Sequence, residues 1–136
     1  MKHLFIINPA AGSHDQTDWY RAQIETHCAG LDYEIRVSQA PGQCRQIARA
    51  AAETGEALRL YACGGDGTLN EVASGAAGFP NGAVTAFSGG SGNDFVRIFS
   101  EPTAFSDLSR LLDAEETVFD LIRCNEDLAL NVCSVG

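Results

Sequence analysis

The sequence predicts an α/β fold in which an open, mostly parallel sheet carries helices on both faces. Short apolar runs of strand length alternate with amphipathic stretches of helix length along the 136 residues. Strands that alternate with helices at this spacing form parallel sheets, because each parallel connection needs a crossover. Loops rich in glycine or other small residues also follow three of the apolar runs. Open α/β sheets carry their ligands where such strands end.

The first half of the chain alternates strand and helix. Residues 3–7 form a short apolar run typical of a strand that is buried on both faces. Apolar residues recur every four positions over about residues 18–29, which indicates one buried face of a helix. Tyr33–Val37 alternates apolar with charged residues and is predicted as the second strand. A second helix is predicted over about residues 42–54 and is closed by Gly55.

The second half continues this alternation. Leu58–Cys63 is the third predicted strand, and a helix over about residues 68–77 leads to a fourth strand at residues 83–87. The remaining predicted elements are two short helices over about residues 93–99 and 104–113 and two strands at residues 118–123 and 128–132. We therefore expect a single α/β domain spanning residues 1–136.

Composition excludes several classes of protein. A chain of this length with 45% hydrophobic residues can bury a core without metal or disulfide support. The formal net charge of −9 disfavours nucleic-acid binding and docking on anionic lipid headgroups, because such a surface repels phosphate. Lys2 is the single lysine and lies at the start of the chain, which excludes P-loop enzymes and protein kinases.

The cysteines and the amino-terminal residues indicate the compartment. The five cysteines are scattered without a C-x-x-C pair, so neither a zinc site nor a disulfide framework is expected. The apolar run at the start has only four residues before Asn8, too short for a signal peptide or a membrane span. A cytoplasmic location is the expectation.

Three loops predict a binding site for nucleotide phosphates. They follow the first, third and fourth predicted strands, and their glycine or alanine residues let backbone amides approach a ligand closely. Such a surface does not need lysine. The dinucleotide fingerprint G-x-G-x-x-G is absent, because Asn70 and Phe95 stand where its last glycine would be.

The polar residues in these loops allow two interpretations each. Asp66 either holds a magnesium ion or accepts a proton, or it caps the following helix. Thr68 and Glu71 also fit a capping box, S/T-x-x-E. Asp94 fits a second cap of the same kind, and Asn8 could simply belong to a turn that ends a strand.

Three motifs together resemble the diacylglycerol kinase catalytic domain, a superfamily that includes sphingosine kinases and bacterial lipid kinases and, more distantly, NAD kinases. They are N-P-A-A-G at residues 8–12, G-G-D-G-T-L-N-E-V at residues 64–72 and G-S-G-N-D-F at residues 90–95. The resemblance covers nearly the whole chain. It implies the amino-terminal nucleotide-binding domain of an ATP-dependent kinase that phosphorylates a lipid hydroxyl of diacylglycerol or sphingoid type.

The resemblance also implies roles for individual residues. Asp66 and Glu71 are the implied catalytic residues, and Asp66, Asp94 and Asp120 are the implied ligands of a magnesium network. The implied ATP-binding residues are Asn8, Pro9, Gly12, Gly64, Gly65, Gly67, Thr68, Asn70, Gly90, Ser91, Gly92 and Asn93. The basic residue that family members often carry after the first motif is absent from residues 13–16.

Members of this family carry a second, mostly β domain that contributes to the lipid site. Residues 128–136 stand where that domain would begin, so we expect the chain to be a nucleotide-binding half that binds Mg²⁺-ATP weakly and phosphorylates no lipid alone. An NAD kinase-like enzyme and a stand-alone nucleotide-binding module without transferase activity are the alternatives. The lipid substrate would bind through the second domain, and the oligomeric state, including a homodimer, stays open.

Overall fold

The computed structural model describes residues 1–10 and 15–87, together with Leu108 and Leu112 and the backbone of two further strands. Within these residues the strands are β1 (Lys2–Ile7), β2 (Tyr33–Val37), β3 (Leu58–Cys63), β4 (Gly82–Phe87), β5 (Glu115–Asp120) and β6 (Ala129–Ser134). The helices are α1 (Thr17–His27), α2 (Gln43–Glu53) and α3 (Asp66–Ala76).

The strands form one sheet in the order β2-β1-β3-β4-β6-β5. All neighbouring strands are parallel except β5 and β6, which pair antiparallel. The predicted open, mostly parallel α/β sheet is therefore confirmed. The chain crosses the sheet in one direction from β1 to β2 and in the other from β2 to β3 and β4. Since such crossovers are right-handed, α1 covers one face and α2 and α3 cover the other.

The predicted boundaries differ from the structure by at most three residues in the described elements. The largest difference is in the last two strands, where β5 begins at Glu115 instead of residue 118 and β6 ends at Ser134 instead of residue 132. Helix α3 begins at Asp66, two residues before the predicted start. The two short helices predicted between β4 and β5 lie outside the described residues, apart from Leu108 and Leu112.

Aromatic side chains form the core between the sheet and α1. Phe5 on β1 stacks on Tyr61 of β3, with ring centroids 4.2 Å apart. Phe87 at the end of β4 contacts Phe5 edge-on and also meets Tyr20 of α1, at centroid distances of 6.4 and 5.3 Å. These rings fix α1 against the sheet near the carboxyl ends of the strands.

The opposite face is held by close packing of α2 against α3. Gly75 of α3 lies so near α2 that an added Cβ would clash with the carbonyl oxygen of Arg45 and would stand 3.0 Å from the Cβ of Ala48. The two helix backbones approach this closely only because residue 75 has no side chain. Both helices follow parallel strands, so both begin at the carboxyl edge of the sheet.

Candidate functional site

The carboxyl ends of three neighbouring strands lie side by side. Ile7 of β1 pairs with Cys63 of β3, which pairs with Phe87 of β4. The loops that begin at Asn8 and Gly64 therefore start next to each other, and the backbone N–H of Asn8 donates to the carbonyl of Cys63 at 3.1 Å. The third predicted loop follows Phe87 directly and lies outside the described residues.

A side-chain hydrogen bond joins the first loop to the start of α3. The Asn8 Nδ2 group donates to the Thr68 Oγ1 atom at 3.2 Å, and Thr68 is buried. The Asn8 Oδ1 atom accepts from the backbone N–H of Ala10 at 3.1 Å. The Asn8 amide thus holds the loop after β1 against the first turn of α3.

Within the part of the chain that the structure describes, the first turn of α3 has no side-chain cap. Its N-cap residue is Gly65, and Asp66 is the first residue of the helix. Of the two interpretations of Asp66, the structure therefore does not support the cap. The predicted capping box is also wrong, because Thr68 lies inside the helix and the buried Oε1 atom of Glu71 has no hydrogen-bond partner among the described residues.

The first turn of α2 lies at the same edge and is also uncapped. It follows Gly42, whose φ of +83° is a backbone conformation that favours glycine, and the N-cap position supplies no side-chain hydrogen bond to the first turn. The sequence reasoning did not assign this turn to the site. The Pro41-Gly42 pair before the helix is the signal that could have indicated it.

At two positions of the loop after β3, neither the backbone conformation nor the packing requires glycine. Gly65 has a φ of −96°, which other residues adopt freely. Among the described residues, a Cβ added at Gly65 or at Gly67 would meet nothing within 4 Å. These two positions leave open space above the N–H groups of α3, where an anionic ligand can approach.

Comparisons with known proteins agree with this arrangement. The family model of the diacylglycerol kinase catalytic domain matches residues 2–124. The chain belongs to the diacylglycerol kinase catalytic domain family. A Pseudomonas aeruginosa protein named as a probable YegS-like lipid kinase is 36% identical over 134 residues, which is 98% of this chain and 43% of that protein. A Bacillus subtilis candidate lipid kinase, YtlR, is 33% identical over 104 residues, 74% of this chain and 34% of that protein.

Solved structures share the fold. A crystal structure of a candidate diacylglycerol kinase from Bacillus anthracis superposes with a TM-score of 0.67 at 24% identity, covering 86% of this chain and 41% of that one. A second crystal structure, described as a diacylglycerol kinase from the same organism, gives a TM-score of 0.58 at 24% identity, covering 82% and 38%. The chain therefore spans less than half the length of the family members that it matches.

The structure brings together part of the residue set expected for this family. The ends of β1 and β3 and the first turn of α3 carry seven of these residues: Asn8, Pro9, Gly64, Gly65, Asp66, Gly67 and Thr68. Asn70 and Glu71 follow on the same helix. Gly12, Gly90, Ser91, Gly92, Asn93 and Asp94 lie outside the described residues. Asp66 is half-buried.

Asp120 is not brought to this edge. It pairs with Ala129 at the start of β6, and β6 runs parallel to β4. Asp120 therefore lies level with Asn81, just before β4 begins, about 20 Å along the strands from the level of Phe87. Within the described residues no group of three or more acidic, histidine or cysteine side chains forms a metal cluster.

Cysteines near the edge are buried and unreactive. Burial raises the pKa of the Cys44 thiol, and burial raises that of Cys63 well above its usual range. Both are free thiols and stay protonated at neutral pH, so they act as small apolar side chains. Among the described residues no helix is long and apolar enough to cross a membrane.

Proposed function

We propose that this chain is the ATP-binding half of a lipid kinase that transfers the γ-phosphate of ATP to a lipid hydroxyl of diacylglycerol or sphingoid type. The observation that carries the proposal is the alignment of Ile7, Cys63 and Phe87, because the three loops with the family's motifs follow these residues in the chain. The Asn8–Thr68 hydrogen bond supports it, because it joins the first two motifs directly.

The described residues suit a polyphosphate. The open space at Gly65 and Gly67 admits phosphate oxygens, and the uncapped N–H groups of α3 offer donors. In this proposal Asn8, Pro9, Gly64, Gly65, Gly67, Thr68 and Asn70 line the phosphates, together with Gly12, Gly90, Ser91, Gly92 and Asn93 from the other two motif loops. Their task is to hold the phosphates in line with the attacking hydroxyl.

Asp66 suits a magnesium ion, since its carboxylate stands in the first turn beside the proposed phosphates and Mg²⁺ prefers oxygen ligands. When bound, Mg²⁺ would neutralise phosphate charge. We propose Asp66 as a ligand, with Asp94 as a second. Asp120 is left out of this ligand set because of its position at the opposite edge.

The lipid acceptor would bind outside this chain, in a second domain of the full-length protein, with residues 128–136 near the junction. We propose that 1–136 is a single nucleotide-binding domain of a cytoplasmic enzyme that touches the membrane only peripherally through that other part. The net charge of −9 favours this division, because an acidic surface is repelled by anionic headgroups and by nucleic acid.

Calorimetry with Mg²⁺-ATP tests the nucleotide half of the proposal. We expect weak binding that is lost when Mg²⁺ is removed and that falls about tenfold or more in Asp66→Asn, the scale for losing part of a metal site. Asp18→Asn is the matched control, because Asp18 is also an acid in the first turn of a helix but is exposed on α1. No heat with Mg²⁺-ATP from the folded chain would refute the proposal.

Phosphoryl-transfer assays test the lipid half. The chain alone is expected to phosphorylate neither diacylglycerol nor sphingosine, and the full-length protein is expected to phosphorylate one of them. NAD serves as the competing acceptor. Phosphorylation of NAD by the full-length protein, with no product from either lipid, would replace the lipid assignment by an NAD kinase-like activity.

A further inference from the structure

Glu71 has a buried hydrogen-bond acceptor whose partner is missing from the described part of the chain. Its Oε1 atom is buried and accepts no hydrogen bond there, whereas the residue as a whole is only half-buried. A buried carboxylate oxygen without a donor is costly, because it has lost its hydration and gained nothing in return. Such an atom in a native site calls for a donor supplied from elsewhere.

Glu71 lies on the side of α3 that faces α2. It precedes Gly75 by four residues, so the two positions share one face of the helix. Gly75 packs directly on Arg45 and Ala48 of α2. Glu71 therefore stands one turn nearer the carboxyl edge, beside the first turn of α2, and its charge contributes to the raised pKa of the Cys44 thiol in that turn.

The position of Glu71 relative to the glycine loop matters for its role. Asp66 begins α3, and Glu71 is five residues further, which is about 7.5 Å along the helix axis. A group in direct contact with the reacting phosphate would lie at the first turn. Glu71 lies further along the helix, on the side that faces α2.

We infer that the Glu71 carboxylate accepts a hydrogen bond from a sugar hydroxyl of the bound nucleotide. The inference rests on the proposed ATP site. An ionised carboxylate only accepts hydrogen bonds, so it repels phosphate and pairs with a hydroxyl or an amine. Carboxylates that accept from ribose hydroxyls recur in open α/β nucleotide sites. Glu71 is thus a nucleotide-positioning residue.

Affinities of four ligands test this assignment. The wild-type chain, Glu71→Ala and Glu71→Gln are titrated calorimetrically with the magnesium complexes of ATP, 2′-deoxy-ATP, 3′-deoxy-ATP and tripolyphosphate. We expect the wild type to bind one of the two deoxy nucleotides about 10- to 100-fold more weakly than ATP, the scale of a hydrogen bond to a charged acceptor. In Glu71→Ala we expect ATP and both deoxy nucleotides to bind with about equal affinity, while the affinity for tripolyphosphate is not weakened.

Glu71→Gln keeps the shape of the side chain and guards against a folding defect in Glu71→Ala. We expect it to retain a reduced preference, because a neutral oxygen still accepts but without charge assistance. Glu25→Gln is the matched control, since Glu25 is exposed on α1 and far from the glycine loop in sequence. Thermal melting by circular dichroism verifies that each variant is folded.

The outcomes separate the two proposals. If the wild type binds neither ATP nor tripolyphosphate, the proposed ATP site itself is refuted and the Glu71 role falls with it. If ATP binds but the wild type does not distinguish the deoxy nucleotides, the Glu71 assignment alone is overturned. Equal losses for ATP and both deoxy nucleotides in both Glu71 variants would also overturn it, because they indicate a general effect of charge or packing.

Discussion

The contact between α2 and α3 makes Gly75 the position where one methyl group should do most damage. An added Cβ would stand 3.0 Å from the Cβ of Ala48 and 3.1 Å from the backbone nitrogen of Arg49, and it would overlap the carbonyl oxygen of Arg45. Two of these three neighbours are backbone atoms of a helix. They cannot move away as the end of a flexible side chain can, so α2 as a whole must shift.

Two opposing effects determine how much stability Gly75→Ala should lose. Forcing extra volume into a well-packed interface costs about 1–3 kcal/mol, and a backbone obstacle places Gly75→Ala near 3 kcal/mol. Alanine is better than glycine inside a helix by about 1 kcal/mol, which offsets part of this. The net loss is therefore about 2 kcal/mol. For a domain of this size it corresponds to a fall in Tm of roughly 6–10 °C.

Gly67→Ala is the matched comparison on the same helix. Its Cβ would meet nothing within 4 Å, so the helix preference of alanine should leave stability unchanged or raise it by up to about 1 kcal/mol. The same Cβ would enter the space proposed for phosphates and weaken Mg²⁺-ATP binding. Urea unfolding followed by circular dichroism gives the free energy of unfolding, and calorimetry gives the affinity.

The two glycine variants test two separate features of the structure. A Gly75→Ala protein as stable as the wild type would mean that α2 and α3 do not approach as closely as described. A Gly67→Ala protein with unchanged affinity for Mg²⁺-ATP would mean that the open space at the first turn of α3 does not receive phosphates. Loss of stability in both variants would indicate that glycine at residue 67 is structural.

Two further changes probe the sheet edge and the core. Asn8→Ala removes the side chain that donates to Thr68. We expect this change to cost about 1 kcal/mol of stability and to weaken nucleotide binding about tenfold. An unchanged affinity in calorimetry would show that the first loop does not contact the ligand. Burial lowers the pKa of His3 in the folded chain, and the positive charge of Arg59 lowers it further. Folding therefore favours the neutral imidazole, so this contribution to stability is present above about pH 6.5 and is lost as the pH falls through the folded-state value. His3→Gln should reduce the drop in Tm between pH 7.5 and 5.5, and an identical drop in both proteins would contradict this.

The sheet could be predicted from sequence because its signals are local. Residues 3–7, Leu58–Cys63 and residues 83–87 read as strands, and each one lies within one residue of β1, β3 or β4. Those same strands end in register at the edge where the motif loops begin. An apolar strand that is buried on both faces can be recognised without knowing which strands it pairs with.

The capping box failed because its partners are not local. Thr68 and Glu71 have the spacing of the motif, but the helix starts two residues earlier, at Asp66, behind a glycine N-cap. The Thr68 hydroxyl accepts from Asn8, which is 60 residues away in sequence. A contact across the sheet edge thus takes the hydroxyl that the local pattern assigned to a cap.

Asp120 shows how strand direction decides the position of a residue. The sequence predicted both final strands, and the structure pairs β5 with β6 antiparallel. That pairing reverses β5 relative to the parallel strands, so its last residue lies at the edge away from the glycine loop. Strand existence could be read locally, but the edge at which a carboxylate emerges depends on pairing.

Because the chain has a single lysine, ATP binding at this edge of the sheet should depend on Mg²⁺. Two uncapped helix starts at α2 and α3 each supply about half a positive charge, and the exposed Arg45 in the first turn of α2 adds one more. Asp66 and Glu71, which both lie on α3, bring two negative charges to this edge. These contributions nearly cancel, so nothing among them offsets the several negative charges of a triphosphate. Among the described residues no group offsets this charge, so we expect the divalent cation of the nucleotide to do so, and removing Mg²⁺ should abolish ATP binding where a lysine-bearing site would only be weakened.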